Sequence, residues 1–176
     1  MEEWNVYPYV GVGEIQFGMS PEEVSKLIGP VVSREERSNL RGLEPRYARY
    51  YKGLATEFHE LPVKKKPVVS FRNSRAELMD FTQSAKSLRV GDIHLFKGGR
   101  GAVVDALMNV SKIVYKDREG FKFLDLGITL SSKDHYRDNP NIGVFARGHF
   151  DPLIEKGLSE NLGQMVRGAY SSVSTS

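Results

Sequence analysis

The sequence predicts an α+β fold: an antiparallel sheet with short helices packed on one face. Three observations carry that expectation. A heavily punctuated strand-helix stretch spans residues 13 to 30, a weaker copy of it begins at Gly91, and several short alternating runs lie between turn residues.

In the first stretch, GEIQFGMSPEEVSKLIGP, Ile15 and Phe17 alternate with polar or small residues, as on a half-buried strand. Ser20 is a good N-cap, Pro21 falls at the first helical position, and Glu23 is placed to close a capping box. Met19 and Val24 occupy the two positions of a hydrophobic staple. Val24, Leu27 and Ile28 share one helix face, and Gly29-Pro30 ends the helix. A helix of fewer than three turns does not persist alone in water, so it must pack on a sheet.

The second stretch, GDIHLFKGGRGAVVDALMNV, repeats the plan with weaker capping. Gly91 to Leu95 matches Gly13 to Phe17 in residue class at every position, and Val103, Val104, Leu107 and Met108 share a helix face. Further on, residues 51–55 parallel 125–129, and 68–71 parallel 142–145. The order strand, helix, three strand-like runs therefore occurs twice. It predicts a degenerate tandem duplication with units 1–86 and 87–170, followed by a disordered tail at 171–176, in one compact domain.

The remaining runs receive coarse assignments. Arg46 to Lys52 and Leu54 to Glu60 read as a hairpin around Gly53; Lys112 to Lys116 and Phe121 to Leu130 flank the turn at Asp117 to Gly120. Ser74 to Ser84 reads as helical, Lys133 to Asn141 as a polar loop, and Asp151-Pro152 and Ser159 as helix starts.

Composition narrows the function classes. The 176 residues are 40% hydrophobic and 27% charged, which suits an ordered globular chain and not a disordered one. No apolar run approaches the roughly 20 residues a membrane helix needs. The opening MEEW places acids where a secretory signal carries Lys or Arg, so a cytoplasmic location is expected. Zero cysteines exclude disulfides, thiol catalysis and cysteine-ligated metals. The net charge of +3 owes part of its excess to Lys64, Lys65 and Lys66; elsewhere basic and acidic residues interleave. That distribution argues against a nucleic-acid partner, which calls for a clustered basic stripe.

No catalytic signature stands out. Gly11-Val12-Gly13 meets Gln16 where a dinucleotide fingerprint needs a third glycine, and Lys97-Gly98-Gly99-Arg100-Gly101 lacks the Gly-Lys-Ser/Thr ending of a nucleotide loop. The four histidines, His59, His94, His135 and His149, show no metal-ligand spacing. There is no nucleophile elbow and no nominated carboxylate pair. The expectation is a non-enzyme without cofactor or metal.

The run from Ile15 through Gly18-Met19-Ser20 to Val24, ending at Leu27-Ile28-Gly29, resembles the repeat of the beta-lactamase inhibitor protein fold. Related modules occur in small outer-membrane assembly lipoproteins and in bacterial toxin-immunity proteins. The second half departs from the pattern, with Lys97-Gly98-Gly99 in place of Gly-Met-Ser and Asn109-Val110-Ser111 in place of the terminal Leu-Gly. The lipoprotein branch requires a lipidated cysteine, which this sequence does not supply. The resemblance implies an immunity protein that binds and inhibits a cognate toxin protein. Since the chain is basic, electrostatic complementarity implies a target neutral or acidic at the contact, ahead of a basic nuclease.

Loops that leave the repeat pattern are the expected binding elements. One holds Lys97 and Arg100; the other holds His135, Tyr136 and Arg137, an aromatic-plus-arginine group of hot-spot composition. Tyr47, Tyr50 and Tyr51 follow, as either interface anchors or core residues, together with Trp4, Tyr7 and Tyr9. The alternative is a small-ligand binder or enzyme with its site between the two halves, suggested by the glycine-rich turn after His94.

Overall fold

A computed structural model describes residues 3–37, 45–59, 66–131 and 141–172. The first half contains β1 (Val6–Tyr7), β2 (Gly11–Val12), β3 (Ile15–Gln16), α1 (Pro21–Ile28), β4 (Val31–Glu36), α2 (Pro45–Tyr51), β5 (Leu54–His59), β6 (Val68–Arg72) and β7 (Arg75–Phe81). The second contains β8 (Arg89–Val90), β9 (Ile93–His94), α3 (Gly99–Val110), β10 (Val114–Asp117), β11 (Gly120–Phe123), β12 (Ile128–Ser131), β13 (Ile142–Phe145), α4 (Asp151–Ser159) and β14 (Gly163–Arg167). The class is α+β, and every strand-strand ladder is antiparallel.

The punctuated stretch folds as its residues dictate. Ser20 Oγ accepts from the Glu23 amide at 3.2 Å, and the Glu23 carboxylate accepts from the Ser20 amide at 2.8 Å. That closed capping box contributes about 1 kcal/mol to helix α1. Val24 and Ile28 are buried beneath it, and Gly29 ends it at φ 99°. The second stretch builds a similar hairpin and helix. Both β2–β3 and β8–β9 turn over two residues, Gly13-Glu14 and Gly91-Asp92, with the glycine at φ 57° and 55°. Each following helix begins six positions after its strand, 15 to 21 and 93 to 99. Helix α3 starts from Gly98 at φ 81° without a side-chain cap, so its stability comes from burying Val103 and Leu107.

The nine strands of the main sheet run β14-β10-β11-β12-β13-β7-β6-β5-β4. Of these, β4 to β7 follow α1 and β10 to β14 follow α3, four strands and five where the sequence predicts three in each half. Two strands of the first half lie outside the sequence expectation, β7 and β4; β4 is an edge strand exposed along its whole length, and its sequence VVSREE has no apolar alternation to reveal it. Leaving out the edge strand β14, the order is symmetric about the β7–β13 pair. In that symmetry β13 takes the place of β7, so the sequence match of 68–71 with 142–145 is one strand out of step.

Helices cover both faces, which corrects the one-face expectation. Helices α1 and α3 pack with Val69, Phe71, Met79, Phe81, Ile128, Leu130, Ile142 and Val144. The residues that alternate with these, Leu54, Leu78, Tyr115 and Phe145, form a second core with Tyr50 of α2, Ile154 of α4 and Phe150, which precedes α4. Alternation sends successive side chains of a strand to opposite faces, so the two clusters lie on opposite sides of one sheet.

Four local expectations are also corrected. Residues 45–51 form helix α2, not a strand, with Pro45 at its start. Residues 75–81 form β7, not a helix; a register shift between Ser70 and Phe71 inserts Glu77 as an extra residue and blurs the alternation. Ser159 closes α4 instead of starting a helix, its hydroxyl donating to the Lys156 carbonyl at 3.1 Å. The expected Phe121–Leu130 strand divides into β11 and β12 at a turn containing Gly127, φ 66°. No helix among the described residues is long and apolar enough to cross a membrane.

Candidate functional site

On the face covered by α2 and α4, five strands contribute one residue each to a straight row. Asp80 on β7 pairs with Gly143 on β13, Gly143 with Thr129 on β12, Thr129 with Lys122 on β11, and Lys122 with Tyr115 on β10. Side chains in such a row point to the same face. Above it lies a groove of about 650 Å³, walled by Tyr47, Tyr50, Tyr51, Phe150 and Leu153 and floored by Asp80, Gly143, Thr129 and Lys122. A Cβ at Gly143 would fall 2.6 Å from the Thr129 methyl and 3.1 Å from the Asp80 carboxylate, so the floor exists because this position is bare.

Helical spacing explains the wall. Positions 47, 50 and 51 of α2 stand at i, i+3 and i+4, on one face of the helix. Tyr50 is the deepest: its ring stacks on Phe150 at 5.7 Å and meets Tyr51 edge-on at 4.9 Å. Its hydroxyl lies 2.9 Å from His149 Nε2, His149 Nδ1 lies 2.8 Å from Glu77, and Glu77 accepts from Arg72 at 3.0 Å. Burial holds the His149 imidazole below its usual range, against the opposing pull of Glu77. The neutral ring therefore donates from Nδ1 to Glu77 and accepts the Tyr50 proton at Nε2. Burial works to raise the Glu77 carboxyl, but its bonds to His149 and Arg72 prevail and hold it low. This chain locks α2, and with it the tyrosine wall, onto the sheet.

The two charged floor residues differ in their surroundings. Lys122 is buried, its ammonium 4.8 Å from the Phe150 ring centre and 4.0 Å from Asp117. Burial lowers its pKa, with Asp117 and Glu119 opposing. Asp80 is half-buried: protein surrounds it except where it opens to the groove. Burial pushes its carboxyl up to about 7, with Arg37 opposing.

The structure sorts the expected binding residues. It brings Tyr47, Tyr50 and Tyr51 together. Lys97 and Arg100 lie at the start of α3, which packs on the opposite face, and neither lines the groove. His135, Tyr136 and Arg137 lie outside the described residues, but the two residues flanking that segment, Ser131 and Asn141, both line the groove. Trp4 is a core residue, edge-on to Phe81 at 5.5 Å. Lys66, from the basic run, donates to the Ile28 carbonyl and so serves the end of α1. Among the described residues no group of three or more metal-ligating side chains is assembled.

Sequence reading missed Asp80, Lys122, Thr129, Gly143 and His149. Their common signal is cross-strand register, which only the assembled sheet displays. A second cleft of about 550 Å³ lies by α4, with Arg147 stacked 4.3 Å over Tyr9. Asp125, on its wall, accepts from the Lys112 amide at 2.7 Å and from Ser111, which commits it to holding the start of β10. Ser171 and Ser172, assigned to the tail from sequence, border this cleft, and Ser172 is buried. No protein-family model matches the chain, and neither a curated protein nor a solved structure matches it.

Proposed function

We propose that the chain is a protein-binding inhibitor of the immunity type, acting in the cytoplasm and neutralising a cognate bacterial toxin by covering it with the groove face. The carrying observation is the wall of Tyr47, Tyr50 and Tyr51 over a sheet floor, with Ser131 and Asn141 at its border. Tyrosine and arginine on a rigid support supply large contact area at low entropic cost. The capped strand-helix unit and the symmetric strand order support a tandem duplication of the inhibitor-like module. A chain without cysteine suits a reducing compartment.

The test is co-expression with the product of each neighbouring open reading frame. Protection of the cell, together with direct binding of the purified pair, is the expected result. A neighbourhood of metabolic genes whose products neither poison the cell nor bind the chain would end this reading.

A second reading has its own observation. The groove straddles the two units, drawing Asp80 from the first and Lys122 and Thr129 from the second. A small-ligand binder or enzyme with its site between the halves would use that composite floor. Thermal-shift screening against nucleotides, phosphates and amines distinguishes it, since a ligand at 100 times its Kd adds about 2.7 kcal/mol of stability.

A further inference from the structure

Asp80 is the groove's unclaimed group. No hydrogen bond to its carboxyl is made by a described residue, and the cation whose charge acts on it, Arg37, is held by Glu35 at 2.8 Å. Lys122 is not its counter-ion. The two lie three strands apart in the row, about 14 Å at the usual strand spacing, and the Lys122 ammonium is turned to Asp117 and the Phe150 ring. Between them only Gly143 and Thr129 cover the sheet, so Asp80 is reached from the groove.

The walls suit a cation. Arg37 lies 6.0 Å from the centre of the Tyr51 ring and Arg72 lies 5.8 Å from that of Tyr50, so these rings already attract the chain's own guanidinium groups. An aromatic face and a carboxylate together are the usual receptor for a guanidinium or ammonium group. The lining carries two carboxyl groups, Asp80 and Glu119, against one ammonium, Lys122, and that ammonium is turned to Asp117 and the Phe150 ring. Whole-chain charge points to a neutral or acidic partner; the local charge of the groove points the other way.

We infer that the groove receives a basic side chain, arginine or lysine, of the bound protein, with Asp80 as its acceptor and the α2 tyrosines as its walls. The inference rests on the protein-binding reading and names the chemistry of the contact. A guanidinium at Asp80 would convert a carboxyl poorly served by solvent into one with two donors, which favours entry of a charged group that is itself costly to desolvate.

The experiment is an NMR titration of the isotope-labelled full chain. Nα-acetyl-arginine methylamide and Nα-acetyl-lysine methylamide are added in turn, with Nα-acetyl-glutamate methylamide and spermidine as the other arms. The arginine or lysine probe is expected to shift the Asp80 carboxyl carbon and the Gly143 and Thr129 amides saturably, in the millimolar range. The glutamate probe is expected to leave them still, and Asp80→Asn, which conserves shape, is expected to weaken the basic probe at least tenfold. Absence of a saturable shift with both basic probes, or equal binding by Asp80→Asn, would overturn the inference. Spermidine binding far tighter than either amino-acid probe would overturn it in favour of a free amine. The two readings fail separately: a toxin bound equally well by Asp80→Asn removes this inference and keeps the immunity reading. A basic probe bound by a chain that protects against no toxin does the reverse.

Discussion

The Tyr50 hydroxyl lies 2.9 Å from Nε2 of His149, and the opposite nitrogen of that ring lies 2.8 Å from Glu77, so a single buried imidazole joins helix α2 to the sheet. Both ring nitrogens are satisfied only while Tyr50 donates. Tyr50→Phe leaves Nε2 buried without a partner and is expected to lower stability by about 1–3 kcal/mol. Urea denaturation checks it: the midpoint falls while the slope stays constant. An unchanged midpoint would mean that water takes the place of the hydroxyl at Nε2.

Acidity acts on two groups in opposite senses. His149 titrates below its ordinary 6.5 in the folded chain, so the unfolded chain takes up the proton first. Its contribution is complete above about pH 6.5 and is lost as pH falls towards the folded value. Asp80 is raised from 3.8 to about 7, so the folded chain holds its proton longer, and this carboxyl lowers stability as pH rises through that interval. Asp80→Asn is therefore expected to raise the melting temperature at pH 8, with the gain shrinking towards pH 3.8. In the Asp80→Asn background the loss of stability from pH 7 to 5 isolates His149, and His149→Gln should flatten it. A gain from Asp80→Asn that is the same at every pH would show that charge is not its origin.

Helix α4 and strand β14 both approach one hydroxyl. A Cβ at Gly157 would lie 2.0 Å from the Tyr115 oxygen but 3.2 Å from the nearest ring carbon. Gly157→Ala is expected to cost about 1–3 kcal/mol, most of it recovered in the double variant with Tyr115→Phe, as a double-mutant cycle would record. Gly163 behaves differently, because a Cβ there also meets ring carbons at 2.4 and 2.9 Å. Gly163→Ala should not be rescued by Tyr115→Phe. Equal rescue at both positions would show that the ring itself moves.

Partner binding is expected to follow the wall and its neighbouring segment. Tyr47→Ala, Tyr51→Ala, Tyr136→Ala and Arg137→Ala should each weaken toxin affinity by at least about 1–2 kcal/mol, measured by calorimetry, with melting temperatures little changed. Lys97→Ala and Arg100→Ala, at the start of α3 on the far face, should leave affinity as it is. The opposite pattern would move the interface to the α1–α3 side.

Local chemistry was the legible part of this fold. The capping box at Ser20 and Glu23, the Asp117–Gly120 turn and the buried face of α3 depend on neighbours in sequence, and each forms where its residues place it. Reading failed where tertiary context overrode propensity. The aromatic run at 46–52 resembles a strand by composition, yet its tyrosines stand at i, i+3 and i+4, and that spacing was the signal for a helix. The bulge at Glu77 concealed β7, and with it Asp80. Of the site, the three tyrosines were within reach; the floor was not, because residues 80, 122, 129 and 143 become neighbours only through register.

The β7–β13 pairing at the centre of the sheet also orders events in time. Phe81 and Ile142 face each other across that seam, separated by most of the second half of the chain. Hairpins β6–β7 and β10–β11 close over two residues each and form early, whereas the seam must wait for a long loop to close. A nascent chain that has emerged only as far as β12 carries β7 as an open edge, with Met79 and Phe81 uncovered. Translation speed between residues 81 and 142, more than the strength of any single contact, then governs how long that adhesive edge is available to a neighbouring nascent chain.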